Sequence, residues 1–198
     1  MEEQQAYYYE KRDKFNDLIL VKDNALIKAA LFIFLNKTCF NGLYRVNKSG
    51  KFNVPAGKYK NPLICDEANL LRVSKKLQNV IMRSYDYQDV ESFADEKTLV
   101  YFDPPYRPLN VTSGFTSYTE NQFNDKDQIE LADFYKKLSN KGVKVMLTNS
   151  DPHNVNFEDD FFDDLYKDFN IKRITAVRTI NSKAEKRGNV TELLIKNY

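Results

Sequence analysis

Thr98-Leu99-Val100-Tyr101-Phe102-Asp103-Pro104-Pro105-Tyr106 is the stretch from which the rest of this 198-residue chain is best read. Its first five residues are an apolar, β-branched and aromatic run, the pattern of a buried strand. The run stops abruptly at a carboxylate, two prolines and an aromatic. Each proline holds φ at about −65° and has no N–H to donate to a sheet. The strand therefore ends in a stiff segment whose carbonyls stand in a preset array. A Pro-rich turn capped by Asp103 is the plain alternative.

Downstream, the same kind of reading gives a regular alternation. Helical periodicity over 125–140 is followed by an apolar run over 143–148, a helix over 158–168, a strand over 171–180 and a final strand over 190–196. Upstream, 79–83 also reads as a strand. Strands alternating with helices predict an α/β fold with a parallel sheet. The closing pair, 171–180 and 190–196, is expected as an antiparallel hairpin. The first 78 residues read differently. A polar-aromatic helix over 7–17 precedes a strongly apolar one over 24–38, expected to be buried and capped by Asp23 or Asn24. Between 40 and 62, turn signals at Asn41-Gly42 and Lys48-Ser49-Gly50 suggest loops and a short hairpin, 43–46 against 51–54. An amphipathic helix over 66–78 follows. The expected division is thus a helical and hairpin segment, 1–78, and an α/β part, 79–198.

Composition excludes more than it specifies. With 42% hydrophobic residues, including 14 Phe and 13 Tyr, the chain can build a core. No apolar stretch approaches a membrane span, and Met1-Glu2-Glu3-Gln4-Gln5 does not resemble a signal peptide. Cys39 and Cys65 lie in no metal spacing, and His153 is the one histidine. Zinc chemistry and a histidine-based triad are therefore not expected. A reducing, cytoplasmic setting is. The net charge of +2 says little, but its distribution says more. Arg45, Lys48, Lys51, Lys58 and Lys60 occupy 41–65 with no acid, and 172–187 has six basic residues against Glu185 alone. From Asp151 to Asp168 there are seven acids against Lys167. This segregation suits a positive face for phosphates and an acidic face elsewhere. Solvated faces of separate elements would give the same pattern.

In open α/β sheets, ligands sit beyond the carboxyl ends of strands. Three segments would meet there: Ser84-Tyr85-Asp86-Tyr87, Asp103 to Tyr106, and Thr148-Asn149-Ser150-Asp151. The acid and aromatic of Asp86-Tyr87 suit a ribose or purine ring, although the pairing is common. Asp103 to Tyr106 suits the activation of an exocyclic base amine. Such a nitrogen is a poor nucleophile because its lone pair is delocalised into the ring. The Asp103 carboxylate and the Pro104 carbonyl can accept its two protons and draw it toward tetrahedral geometry. Tyr106 offers a face on which an extruded base can stack.

Several blocks, in order, resemble the DNA adenine methylase (Dam) family of S-adenosylmethionine-dependent DNA N6-adenine methyltransferases. They are Leu35-Asn-Lys-Thr-Cys-Phe-Asn-Gly-Leu-Tyr-Arg45, Phe52-Asn-Val-Pro-Ala-Gly-Lys-Tyr-Lys-Asn-Pro62, Asp103-Pro-Pro-Tyr-Arg-Pro-Leu109, Phe115-Thr-Ser-Tyr118, Val145-Met-Leu-Thr-Asn-Ser-Asp151 and Arg187-Gly-Asn-Val-Thr-Glu-Leu-Leu-Ile195. The resemblance implies a partial Rossmann-like methyltransferase sheet with an inserted helical and hairpin DNA-recognition segment. It implies Asp103, Pro104, Pro105 and Tyr106 as the catalytic motif. Asp86, Tyr87 and Asp103 are implied at the S-adenosylmethionine site, with Phe40, Asn41, Arg45 and Lys48 against double-stranded DNA. Arg45 matches an arginine that reads guanine in GATC, and Phe40 an aromatic that enters the vacated stack. Phe52 to Pro55 falls in a site-supporting block, in which Ala56 stands where an aromatic is usual.

In the family, an aromatic-x-Gly-x-Gly loop approaches the cofactor and precedes the recognition segment. None of the six glycines here forms a Gly-x-Gly pair. The chain is therefore expected to lack the opening strands of the sheet and part of the cofactor pocket. Three readings remain open: an incomplete methyltransferase, one half of a split enzyme completed by a second chain, or a module that only binds DNA. Neither membrane nor metal is expected as a partner.

Overall fold

The computed structural model describes residues 2–19, 21, 23–109, 123–177 and 189–198. The expectations on 115–118, 178–180 and 187–188 fall outside these residues. The chain divides into two compact units, one up to Arg83 and the other from Ser84 onward.

The first unit is built from α1 (Glu2–Ile19), α2 (Ala25–Thr38) and α3 (Glu67–Leu77), with irregular chain between α2 and α3. Its small core comprises Tyr8, Phe15, Leu35, Cys39, Phe52 and Val54. Tyr8 and Phe15 lie two turns apart on one face of α1. On that face Asn16, also buried, donates from Nδ2 to the Phe52 carbonyl (3.1 Å) and accepts the Phe52 N–H at Oδ1 (2.8 Å). The Tyr8 hydroxyl donates to the Val54 carbonyl (2.9 Å). One helix thus satisfies the polar backbone of an irregular segment that has no sheet to join.

Three expectations fail in this unit. The apolar helix α2 is not buried all round: Leu35 is its buried residue, whereas Leu26 is 84% exposed. A unit of this size has too little chain to cover a second helical face. Asn24 occupies the N-cap position, but its backbone is left-handed (φ 69°) and its side chain makes no cap bond. Asp66, by contrast, caps α3 by accepting the Asn69 N–H at 3.0 Å. The hairpin reduces to a single bridge, Val46 to Phe52. Asn47 Oδ1 accepts from Ser49 and Lys51 N–H, while Arg45 occupies the Asn53 carbonyl, so side chains take groups a longer ladder would need.

The second unit contains β1 (Leu99–Phe102), α4 (Asp125–Asn140), β2 (Lys144–Ser150), α5 (Phe161–Leu165), β3 (Asn170–Val177) and β4 (Asn189–Lys196). They form a mixed α/β structure on a four-stranded sheet of order β1-β2-β4-β3. The expected parallel sheet is corrected: β1 and β2 are parallel, but β4 runs antiparallel to both β2 and β3. Residues 79–83 form no strand, with Ile81 82% and Met82 73% exposed. Among the described residues no strand lies beside their apolar run to hydrogen-bond with it, and an isolated extended segment gains little stability. The helix expected over 158–168 shrinks to the five residues of α5.

α4 begins at a capping box. The Asn124 side chain accepts from the Lys126 and Asp127 N–H groups, and Asp127 accepts the Asn124 N–H. One face of the helix, carrying Gln128, Leu131, Ala132, Phe134, Tyr135 and Leu138, is buried. It shares a core with Val100 and Phe102 of β1, Val145 and Leu147 of β2, and Leu193 and Ile195 of β4. The period-2 alternation of each strand puts those residues on one side of the sheet. No helix among the described residues is long and apolar enough to cross a membrane.

Candidate active site

Parallel pairing of β1 with β2, in the register Phe102 to Leu147, sends both strands out of the sheet at the same end. Asp103 to Tyr106 therefore emerges beside Thr148 to Asp151. Asp103 is exposed, and its Oδ1 lies 3.4 Å from the Thr148 hydroxyl that donates to it. The same Thr148 hydroxyl is 2.9 Å from the Tyr101 hydroxyl. Tyr106 is half-buried, its hydroxyl donating to Glu192 of β4 at 3.5 Å. Burial raises the Tyr106 phenol above its ordinary pKa, which keeps it protonated and donating.

The chain after Tyr106 is held from several directions. The Arg107 N–H donates to Asn149 Oδ1 (3.0 Å), and the Ser150 hydroxyl donates to the Arg107 carbonyl (2.7 Å). The Arg107 guanidinium grips Asp125 with two bonds, 2.8 and 3.1 Å, and Asp159 with a third of 2.7 Å. It also lies 4.3 Å over the Phe161 ring. The Asp125 bonds come first in raising its pKa further, so Arg107 is a permanent cation whose charge is already matched. Beside it, Arg107, Pro108, Leu109, Pro152, Val155, Asn156 and Asp159 line a cleft of about 200 Å³.

The acidic stretch after β2 is likewise internally paired. Asp151 is 1% exposed and accepts from Arg173 Nε (3.1 Å), from the Thr191 hydroxyl (2.6 Å) and from the His153 N–H (3.2 Å). Arg173 binds Asp163 through both terminal nitrogens, at 3.2 and 2.7 Å. His153 Nε2 is 3.0 Å from Asp160. His153, Asp160 and Asp163 bring ligand atoms within 4.8 Å of one another. The Arg173 guanidinium already supplies positive charge there.

Asp86 and Tyr87 belong to the same unit but do not follow a strand. Asp86 starts a three-ten turn (Tyr87–Ser92) and accepts the Gln88 N–H at 2.9 Å. The Tyr87 ring packs edge-on against Phe102 (6.2 Å between centroids) and Phe134 (5.5 Å). The end of β1 and the Asp86 turn therefore share one aromatic cluster.

The remaining candidates lie in the first unit. Phe40 is 52% exposed at the start of a three-ten turn, with its N–H donating to the Pro55 carbonyl at 2.9 Å. Asn41 is left-handed (φ 55°), a conformation asparagine tolerates better than most residues. Arg45 Nε donates to Asn53 Oδ1 at 2.7 Å and Nη2 to the Asn53 carbonyl at 3.2 Å, which orients the guanidinium from behind. Lys48 is exposed in the following turn. Ala56 bridges Cys39, and Gly57 donates its N–H to Thr38 at 2.8 Å. A Cβ on Gly57 would stand 2.8 Å from the Cys39 carbonyl and 2.4 Å from the Tyr59 ring, so the two segments approach this closely only with glycine there.

Gln128 and Arg173 were not singled out from sequence, and Asn149 and Arg107 stood there only inside longer segments, with no role of their own. A signal existed for Gln128: an amide falls where the α4 pattern calls for an apolar residue, three and four positions before Leu131 and Ala132.

Residues 1–180 match the family described as D12 class N6 adenine-specific DNA methyltransferase. The chain is 54% identical to the Type II methyltransferase M.MjaIII of Methanocaldococcus jannaschii, covering 100% of this chain and 66% of the relative. It is 41% identical to the Type II methyltransferase M1.LlaDCHI of Lactococcus lactis, covering 100% and 68%. With the DNA adenine methylase of Escherichia coli the identity is 34%, over 94% of this chain and 63% of the relative. The chain thus spans about two thirds of the length of these curated relatives.

Proposed function

Because the chain belongs to the D12 class of N6 adenine-specific DNA methyltransferases, we propose that it methylates N6 of adenine in duplex DNA, at GATC, using S-adenosylmethionine. The observation that carries this reading is Asp103-Pro104-Pro105-Tyr106 at the end of β1, with Thr148 donating to the Asp103 carboxylate. One Asp103 oxygen stays oriented by Thr148 while the carboxylate accepts from the amine and takes up the proton it sheds. The Pro104 carbonyl accepts a hydrogen bond from the second amine N–H, which stays on the nitrogen. Tyr106 stacks on the base, a contact worth about 1–3 kcal/mol. Asp86 suits the ribose of the cofactor: its carboxylate is exposed and retains acceptor capacity after the Gln88 N–H. Tyr87 steadies that turn through Phe102 and Phe134. S-adenosylmethionine, when bound, supplies the electrophilic methyl.

Within this reading the second unit is the catalytic part of a Rossmann-like methyltransferase, and the segment before it recognises DNA. Arg45 reads a guanine edge, in keeping with arginine's match to O6 and N7. Its bonds to Asn53 preorganise the guanidinium. Phe40 enters the stack left by the flipped adenine, and Asn41 and Lys48 contact the backbone. One observation favours a second reading. The sequence has no Gly-x-Gly pair with which to approach a cofactor closely. On that reading the chain binds DNA and methylates only with a second polypeptide.

Transfer of labelled methyl from S-adenosylmethionine to a GATC duplex, with GTTC as control, separates the two. Transfer to GATC alone supports self-sufficient methylation. Binding to both duplexes without transfer supports the second reading, and absence of DNA binding defeats both.

A further inference from the structure

Gln128 is 1% exposed and Asn149 0% exposed, two amides on the otherwise apolar interface of α4 with the sheet. Asn149 sits in β2 directly opposite Leu193 of β4. Burying an amide is unfavourable unless its donors and acceptors are met, and both side chains are met in one continuous chain of bonds. The Arg107 N–H donates to Asn149 Oδ1 (3.0 Å), Asn149 Nδ2 donates to Gln128 Oε1 (3.1 Å), and Gln128 Nε2 donates to the Pro105 carbonyl (3.0 Å).

Each orientation is forced by the one before it. The Arg107 N–H can only donate, so Asn149 must present its oxygen and turn its NH₂ to Gln128. Gln128 must then present oxygen to Asn149, which leaves its NH₂ for a carbonyl that can only accept. The ring closes through the main chain of Pro105, Tyr106 and Arg107. Proline fixes φ at 104 and 105, but Tyr106 has no such restraint of its own. The two amides grip the peptide groups on both sides of it. We infer that Gln128 and Asn149 form a clamp that sets the main chain at Tyr106, making Gln128 a positioning residue for the catalytic motif. This inference rests on the N6-methylation reading for its consequence in turnover, but not for the clamp itself.

The clamp is tested in the free 198-residue protein by amide hydrogen exchange at Arg107. Gln128→Met, close in volume and without polar hydrogens, should speed that exchange by about tenfold or more. Tyr135→Phe, which removes a bond to the Val145 carbonyl in the same core, should leave it unchanged. If Gln128→Met does not fold, Gln128→Leu serves, since it too has no group that can donate to the Pro105 carbonyl. Unchanged Arg107 exchange in the folded variant would overturn the clamp. In methyl transfer, Gln128→Met should lower kcat on the order of 10- to 100-fold with the KM for duplex nearly unchanged, whereas Tyr135→Phe should alter neither. Faster exchange with unaltered kcat would overturn the positioning role. A wild-type chain that transfers no methyl would count against the methylation reading, while the exchange result still decides the clamp.

Discussion

The two units solve the same problem in opposite ways. From Ser84 onward, one continuous core joins α4 to three strands, and Gln128, Asn149 and Asp151, near the proposed catalytic motif, are buried and paired. Up to Arg83, the core comprises six buried residues, α3 buries none, and the residues proposed to contact DNA stand on turns held by main-chain and asparagine contacts. Chemistry on a single nitrogen requires groups held to fractions of an ångström. Reading a long polyanion requires reach and exposed donors, and tolerates a thinner scaffold.

The largest expected effect that would break this contrast is at the motif itself. Asp103→Ala should lower methyl transfer on the order of 10²- to 10⁴-fold, with duplex affinity in a gel-shift titration nearly unchanged. Appreciable turnover would remove Asp103 from the chemistry. Next, Arg173→Met leaves Asp151 buried without its cation, which should cost about 3–5 kcal/mol in urea unfolding. The loss should appear in amide exchange from Ser84 onward and spare α1 and α2; an equal loss in both units would mean that they unfold as one. Leu35→Ala, in the smaller core, should cost about 2–5 kcal/mol, felt in α1 and α2. Arg45→Ala should cost about 1–3 kcal/mol of discrimination at one guanine, measured by competition between single-base variants of the duplex. Uniform weakening across variants would reassign Arg45 to phosphate. Smallest of all, Leu26→Ser should change stability by less than about 0.5 kcal/mol. A much larger loss by calorimetry would show that the exposed face of α2 is covered in solution.

What could be read beforehand follows the same division. α4 and the parallel pair β1 and β2 stand close to where periodicity put them, because a capping box, an amphipathic face and two apolar runs all agree. The nearness of Asp103 to Thr148 then follows from parallel pairing alone. The position of β4 did not follow. A strand pattern gives its faces but not its neighbours, and here an antiparallel strand lies between β2 and β3. Residues 79–83 misled for the converse reason, since apolar content was read as a strand without a partner to pair with. The clamp escaped notice because Gln128 and Asn149 acquire meaning only across 21 residues of sequence. The ion pairs of Arg107 and Arg173 likewise turn an acidic run into internal structure that charge counting reads as surface.

The strand order also bears on how quickly the molecule can assemble. β2 pairs with β4 through Leu147 and Ile195, and among the described residues β3 joins the sheet by way of β4. Glu192, the acceptor for the Tyr106 hydroxyl, arrives with that same strand. Contacts so distant along the chain carry a loop-closure entropy that slows folding. As the protein is made, Asp103–Tyr106 therefore leaves the ribosome well before β4, which brings Glu192, and the half-built sheet is the state in which these strands are most exposed to aggregation and to chaperones.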